Sequence, residues 1–300
     1  MSAAVAQPAY APPASPVVAG MGSGVGVGVG VGVAAAATEW VDVDWGERRV
    51  RIEHQWLHRE NTRAPLLVFL HEGLGSLSMW RDFPAALCEA LGCRGLVYSR
   101  PGYGHSTPRA ANEHWAPDFM HRQAREVLPA LLATLGIDPA KDRLWLFGHS
   151  DGGSIAMLYA ALFPAQVRGV VAMAPHILVE DVSVNSIAQT RTAYLQTDLR
   201  QKLARHHADP DSAFWGWNDI WLHPDFRAWR IDAELSSIRC ALLAVQGVND
   251  EYGTLQQVHG IARVAPQCQV VELADCGHSP HRDQRDALIT AVRDFFQQQS

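Results

Sequence analysis

The chain reads as an α/β fold, a mainly parallel central sheet flanked by helices and carrying a helical cap. Three observations predict it. From Glu39 onward, short apolar runs alternate with stretches of helical period, the pattern of βαβ crossovers that place helices on both faces of a sheet. One such run ends in "LFGHSDGGSIA" (146–156), which passes through a glycine-flanked serine into an apolar helix. Residues 180–237 hold no strand-like run but include a dense aromatic patch, "SAFWGWNDIWLHPDFRAW" (212–229). That is too long for a bare loop in a compact domain and too aromatic to stay unpacked.

The elements follow in order. "RRVRIEHQWL" (48–57) reads as an early strand, and "PLLVFL" (65–70) as one buried on both faces. "MWRDFPAALCEALG" has helical spacing and stops at Gly92; "GLVYS" (95–99) follows as a strand. "PDFMHRQAREVLPALLATLG" (117–136) is a long amphipathic helix, its apolar positions three and four apart. "RLWLFG" (143–148) is a strand, "SIAMLYAALF" (154–163) a helix and "VRGVVAMA" (167–174) a strand. After the cap come strands in "CALLAVQG" (240–247) and "QCQVVEL" (267–273), then a closing helix, "RDALITAVRDFF" (285–296). The expected organisation is a low-complexity tail over 1–37, a core built from 38–179 and 238–300, and the cap over 180–237.

The tail is Pro/Ala-rich and then alternates Gly with Val, and the first basic residue of the chain is Arg48. A secretory signal or a transit peptide needs basic residues there. Residues 17–37 approach the length of a membrane span, but seven glycines in that window and no flanking charge argue for a disordered tail instead. Met21 is an alternative start. The chain is 48% hydrophobic and 19% charged with a net charge of −6. That is apolar enough for a large core, and without a basic stripe it excludes nucleic acid as a partner. Five cysteines with no CxxC pair read as reduced, mostly buried thiols of a cytoplasmic protein.

Ligands of a parallel sheet bind beyond the carboxyl ends of its strands, and three strand ends carry chemistry. Ser150 lies in Gly148-His149-Ser150-Asp151-Gly152, in the strand–turn–helix context of the G-x-S-x-G motif. It reads either as a nucleophile or as an ordinary helix N-cap. Asp250 follows a buried strand in "LLAVQGVNDEYGT", with Glu251 as a rival acid. His278 lies in "VVELADCGHSPH", with His281 as alternative base and Asp275 as a further rival acid. A serine hydroxyl is a weak nucleophile until a histidine takes its proton, and that histidine needs a carboxylate to fix its tautomer. A fourth loop, "VFLHEGLGS" (68–76), leaves a buried strand through glycines. His149 reads as shaping the turn, and His206 and His207, which lack metal-ligand spacing, as a solvated helix face. No metal or cofactor is expected.

With "SRPGYGHS" (99–106) after the next strand, residues 40–298 resemble the α/β-hydrolase superfamily in its capped form. "HEGLGSLSMW", the place of the cap and "CGHSPHRDQ" are most similar to 3-oxoadipate enol-lactonases and meta-cleavage-product C–C hydrolases. The resemblance implies a Ser150–His278–Asp250 triad, with the Gly73 and Asp151 amides as oxyanion hole. One position departs from it: most relatives have His-Gly where this chain has His71-Glu72. A carboxylate there either turns away to bond the loop or meets a polar group of the substrate.

The expected activity is serine hydrolysis, through an acyl-enzyme, of a small, largely apolar or aromatic ester or lactone. Glu72, His149, Trp215, Trp217 and Trp221 are the candidate substrate-binding residues. The alternatives are C–C hydrolysis of a ring-cleavage product, which calls for an arginine such as Arg191 to meet a substrate carboxylate, and a non-catalytic ligand-binding homologue. The expected partner is a small-molecule substrate, with neither nucleic acid nor membrane, and a homodimer remains open.

Overall fold

The computed structural model describes residues 37–299. All but the last residue of the expected tail, with Met21, therefore lies outside the described residues. β1 (Thr38–Trp45) and β2 (Arg48–Leu57) form a hairpin turned by Gly46 at φ 61°. β3 (Leu66–Leu70) leads through a 3₁₀ turn (Leu77–Trp80) to α1 (Phe83–Leu91), which Gly92 closes in the left-handed region. β4 (Arg94–Tyr98) precedes α2 (Phe119–Arg122), a π turn (Gln123–Val127) and α3 (Leu128–Thr134). The single amphipathic helix expected over 117–136 thus carries a π segment just before Pro129, whose ring cannot continue a regular ladder.

β5 (Leu144–His149), α4 (Asp151–Leu162) and β6 (Gly169–Met173) follow. Next come α5 (Asp181–Gln196), α6 (Leu199–Leu203), α7 (Pro210–Trp221), a 3₁₀ turn (Pro224–Ala228) and α8 (Asp232–Leu235). The chain ends with β7 (Ala241–Gly247), α9 (Gln256–Val264), β8 (Cys268–Leu273), α10 (Pro280–Asp283) and α11 (Arg285–Gln297).

The eight strands lie in one sheet in the order β1-β2-β4-β3-β5-β6-β7-β8. The β1–β2 and β2–β4 pairs are antiparallel and every other pair is parallel. Because side chains alternate along a strand, Leu66, Val68 and Leu70 face one core with Leu128, Leu131 and Met157. Leu67 and Phe69 face the other, with Phe83, Leu87, Val292 and Phe295. Both sheet faces are therefore covered, which is why β3 and β5 read as unbroken apolar runs. Between β6 and β7 the packing is aromatic, with Tyr194 stacked on Phe214 at 3.6 Å and Phe226 between Trp221 and Trp229. Among the described residues no helix is long and apolar enough to cross a membrane, and all five cysteines are free.

Candidate active site

Parallel strands end on the same edge, so the turns after β3, β5, β7 and β8 converge there. At the end of β5 the chain reverses sharply: Ser150 adopts φ 53°, ψ −120°, and α4 starts at the next residue. A non-glycine residue held there costs on the order of 1–3 kcal/mol and needs surroundings that enforce it. The flanking glycines permit the turn. A Cβ on Gly148 would lie 2.1 Å from the Gly152 carbonyl oxygen, and one on Gly152 would lie 2.1 Å from that of Leu70. The Ser150 amide donates to the Met173 carbonyl at 2.9 Å. Ser150 occupies the N-cap position of α4, but its side chain makes no cap bond; instead Oγ lies 3.0 Å from His278 Nε2.

His278 Nδ1 is 2.9 Å from both oxygens of Asp250. Those contacts fix the tautomer: Nδ1 donates to the carboxylate and the Nε2 lone pair faces the serine hydroxyl. Asp250 is itself held, Oδ1 accepting from the Tyr252 and Gly253 amides and Oδ2 from Gln246 Nε2. Burial pushes the Asp250 carboxyl up, but the facing His278 and the Tyr252 amide outweigh it and hold the group below the usual range. Burial likewise pushes His278 down, while Asp250, by charge and hydrogen bond, carries it above 6.5. The rival acid Glu251 accepts the backbone amide of His278 at 3.1 Å, so it braces the base loop. Asp275 is exposed. His281 lies behind the site against Trp80 and Phe83, where burial takes its pKa down to about 3.

The loop after β3 is folded about the Glu72 carbonyl, which accepts from His71 Nδ1, Arg100 Nη2 and the Gly75 amide at 2.7, 2.8 and 3.0 Å. His71 Nε2 accepts the Arg100 amide at 3.0 Å. Among the described residues, the amides of Gly73 and Asp151 have no backbone acceptor. Trp217 lies against this loop: a Cβ on Gly73 would stand 2.2 Å from its indole nitrogen. Trp221 Nε1 donates to Asp151 Oδ1 at 3.2 Å and its ring meets His176 edge-on at 4.8 Å. The Glu72 side chain reaches His149, with Oε2 3.5 Å from Nδ1. The site is closed, with Ser150 6% exposed and the His278 side chain 11%.

Two expectations need correction. Trp215 does not join Trp217 and Trp221: residues four apart on a helix share a face, whereas those two apart point away from each other. Trp215 packs on Tyr194 and Phe214 and lines a separate cavity of about 460 Å³ with Arg109, His114 and Trp115. His207 is not solvated; it is buried, its Nδ1 accepting the Gly104 amide and its Nε2 donating to the Leu74 carbonyl. Arg191, on exposed α5 surface, lies over the Trp215 ring at 5.3 Å. The residue that sequence reasoning missed is Arg100, fully buried beneath the loop, 3.9 Å from Asp151 Oδ2 and 4.6 Å over the Tyr103 ring. Its only sequence signal was its place inside "SRPGYGHS".

A parallel sheet bearing a glycine-flanked serine on a positive-φ turn, with histidine and aspartate hydrogen-bonded in series from later strand ends, is the architecture of an α/β hydrolase. The chain belongs to that family: the family model for the alpha/beta hydrolase fold matches residues 65–220, over half of its length. It is 24% identical over 263 residues to an sn-1-specific diacylglycerol lipase of Mus musculus, covering 77% of this chain and 81% of that one. Among solved structures it is similar to the enol-lactonase from Burkholderia xenovorans LB400, with a TM-score of 0.66 and 22% identity over 86% of this chain and 100% of that one. It is also similar to a meta-cleavage product hydrolase from Pseudomonas fluorescens IP01, with a TM-score of 0.66 and 16% identity over 87% and 98% of the two chains.

Proposed function

We propose that the protein is a serine hydrolase that cleaves a small, largely apolar carboxylic ester or lactone through an acyl-enzyme. The observation that carries this reading is the continuous hydrogen-bonded chain Ser150 Oγ–His278–Asp250, with contacts of 3.0 and 2.9 Å, at a serine freed from helix capping. His278 takes the hydroxyl proton as Ser150 attacks the carbonyl, and Asp250 stabilises the imidazolium. The oxyanion forms against the amides of Gly73 and Asp151. His278 then protonates the leaving oxygen, and a water molecule, deprotonated by the same histidine, releases the acid.

Ester or lactone cleavage is favoured over C–C hydrolysis because, among the described residues, neither Arg191 nor Arg100 is free to meet a substrate carboxylate beside Ser150. Arg191 is exposed against Trp215, and Arg100 is taken up by Glu72, Asp151 and Tyr103. The free thiols support a reducing, cytoplasmic setting. The test is a panel of p-nitrophenyl esters of rising acyl size, run beside an enol-lactone and a ring-cleavage dienoate, together with fluorophosphonate labelling. Ser150→Ala and His278→Ala are each expected to lower kcat by about 10³-fold or more. Near-normal turnover in either variant, or folded wild type that resists the probe, refutes the reading.

A further inference from the structure

The serine-hydrolase reading leaves Glu72 and His149 without a task, yet they occupy the junction of three loops. His149 is the last residue of β5, next to Ser150, and is 1% exposed. Its Nε2 lies 2.7 Å from the His278 backbone carbonyl, which only accepts, so Nε2 carries a hydrogen. Its Nδ1 lies 3.5 Å from Glu72 Oε2, an ion-pair contact, and has no hydrogen-bond partner among the described residues. Both ring nitrogens therefore face acceptors. A neutral imidazole would turn a lone pair toward the carboxylate in a buried site, a repulsion that one added proton converts into an ion pair.

We propose that Glu72 and His149 are positioning residues: a carboxylate–imidazolium pair that ties the oxyanion loop at Gly73 to the nucleophile turn and to the loop bearing His278. The linkage runs from Glu72, one residue before the oxyanion amide, through His149, one residue before the nucleophile, to the carbonyl of the base itself. It gives the departure from His-Gly at 71–72 a function that needs no substrate contact.

The pair's surroundings agree. Burial pushes the Glu72 carboxyl up, but the facing His149, with His71 and His281 behind it, holds it far below the carboxylate range. The other charged and titratable groups facing the pair are Asp151 on α4, His176 after β6, His278 after β8, and His206 and His207 between α6 and α7. Arg100 binds the Glu72 backbone carbonyl from the β4 side.

This positioning role rests on the hydrolase reading, so the test has two arms. In the first, ¹⁵N spectra of the histidine rings, assigned with His149→Asn, are expected to show both nitrogens of His149 protonated at pH 7 in wild type and one protonated in Glu72→Ala. This arm needs no turnover, and a singly protonated wild-type His149 overturns the proposal even if the esterase assay succeeds. In the second, Glu72→Ala is expected to lower kcat and the fluorophosphonate labelling rate about 10- to 100-fold, the cost of about 1 Å of misplacement. KM should move less than about threefold, and the isosteric Glu72→Gln should recover part of the rate. Unchanged kcat in Glu72→Ala overturns the proposal; if Glu72→Ala fails to fold, Glu72→Gln carries the kcat and ring-spectrum readouts. Failure of the wild type to react with the probe speaks against the hydrolase reading alone, because the ring spectra still decide the pair.

Discussion

His278 is pulled in two directions, and the balance sets how the reaction depends on pH. Burial favours its neutral form, while Asp250, contacting Nδ1 with both oxygens, favours the cation and prevails. In the proposed mechanism the base works only when neutral, so kcat/KM is expected to fall as pH drops through a value above 6.5, the ordinary histidine value. Asp250→Asn removes the raising influence and leaves burial, so the acid limb moves to lower pH. The remaining rate should fall by about 10⁴-fold, the scale of the same change in a serine protease. A pH–rate profile of both proteins checks this; an acid limb that stays in place in the variant removes Asp250 from the role. That Ser150, Asp250 and His278 come together was legible because each lies in the turn that follows a strand-like run. Glu72–His149 and Arg100 were not, since their meaning lies in which acceptor each nitrogen faces, and that depends on chain separations of tens of residues.

Helix α7 presses directly on the loop at Gly73. The Trp217 indole fills the space that a side chain at residue 73 would need, its nitrogen and Cδ1 2.2 and 2.3 Å from the position of a Cβ. Gly73→Ala is therefore expected to push α7 outward, lowering both stability and kcat. Trp217→Leu removes the bulk from that point, so the two changes should couple by about 1–3 kcal/mol in a double-mutant cycle on unfolding free energy. Additive effects would mean that α7 and the loop do not share this contact. At this scale most of the fold was readable: β2 spans the expected 48–57, and β3 to β8 fall within a residue or two of their apolar runs. β1 escaped notice although Val41, Val43 and Trp45 alternate, because its buried face is short and abuts the low-complexity tail. The aromatic patch announced packing, but composition does not say which tryptophan faces which layer. The spacing of 217 and 221 against 215 did say so, through helical periodicity.

Chain order and sheet topology together bring the chemistry to one edge: serine after β5, aspartate after β7 and histidine after β8 meet because those strands are parallel neighbours through β6. The same edge gathers buried histidines, which the sequence could not reveal because burial is a property of the assembled layers. His176 and His281 are driven to about 3 and His207 to about 4, in each case first by burial. For each, the folded pKa lies below the unfolded value of 6.5, so the contribution to stability is complete above pH 6.5. Below that, the unfolded chain takes up protons that the folded one refuses, and stability drains away toward pH 3–4. His278 runs the other way, its raised pKa adding stability at low pH that is lost as pH rises through its folded value, but it is one group against these three and against His54, His71 and His206, which are also lowered.

The protein is thus expected to lose stability on mild acidification, before carboxylates titrate. His281 offers a clean test, because its ring packs against Trp80 and Phe83 and its buried Nδ1 has no hydrogen-bond partner among the described residues. A phenylalanine fits that aromatic setting and cannot take up a proton in the unfolded chain. His281→Phe should change stability little at pH 8 and raise it at pH 5 by up to about 2 kcal/mol, the worth of some 1.5 pH units of withheld protonation. Urea unfolding of both proteins at the two pH values measures the difference directly. A gain of equal size at both would show that His281 acts through packing alone and that the acid sensitivity arises elsewhere.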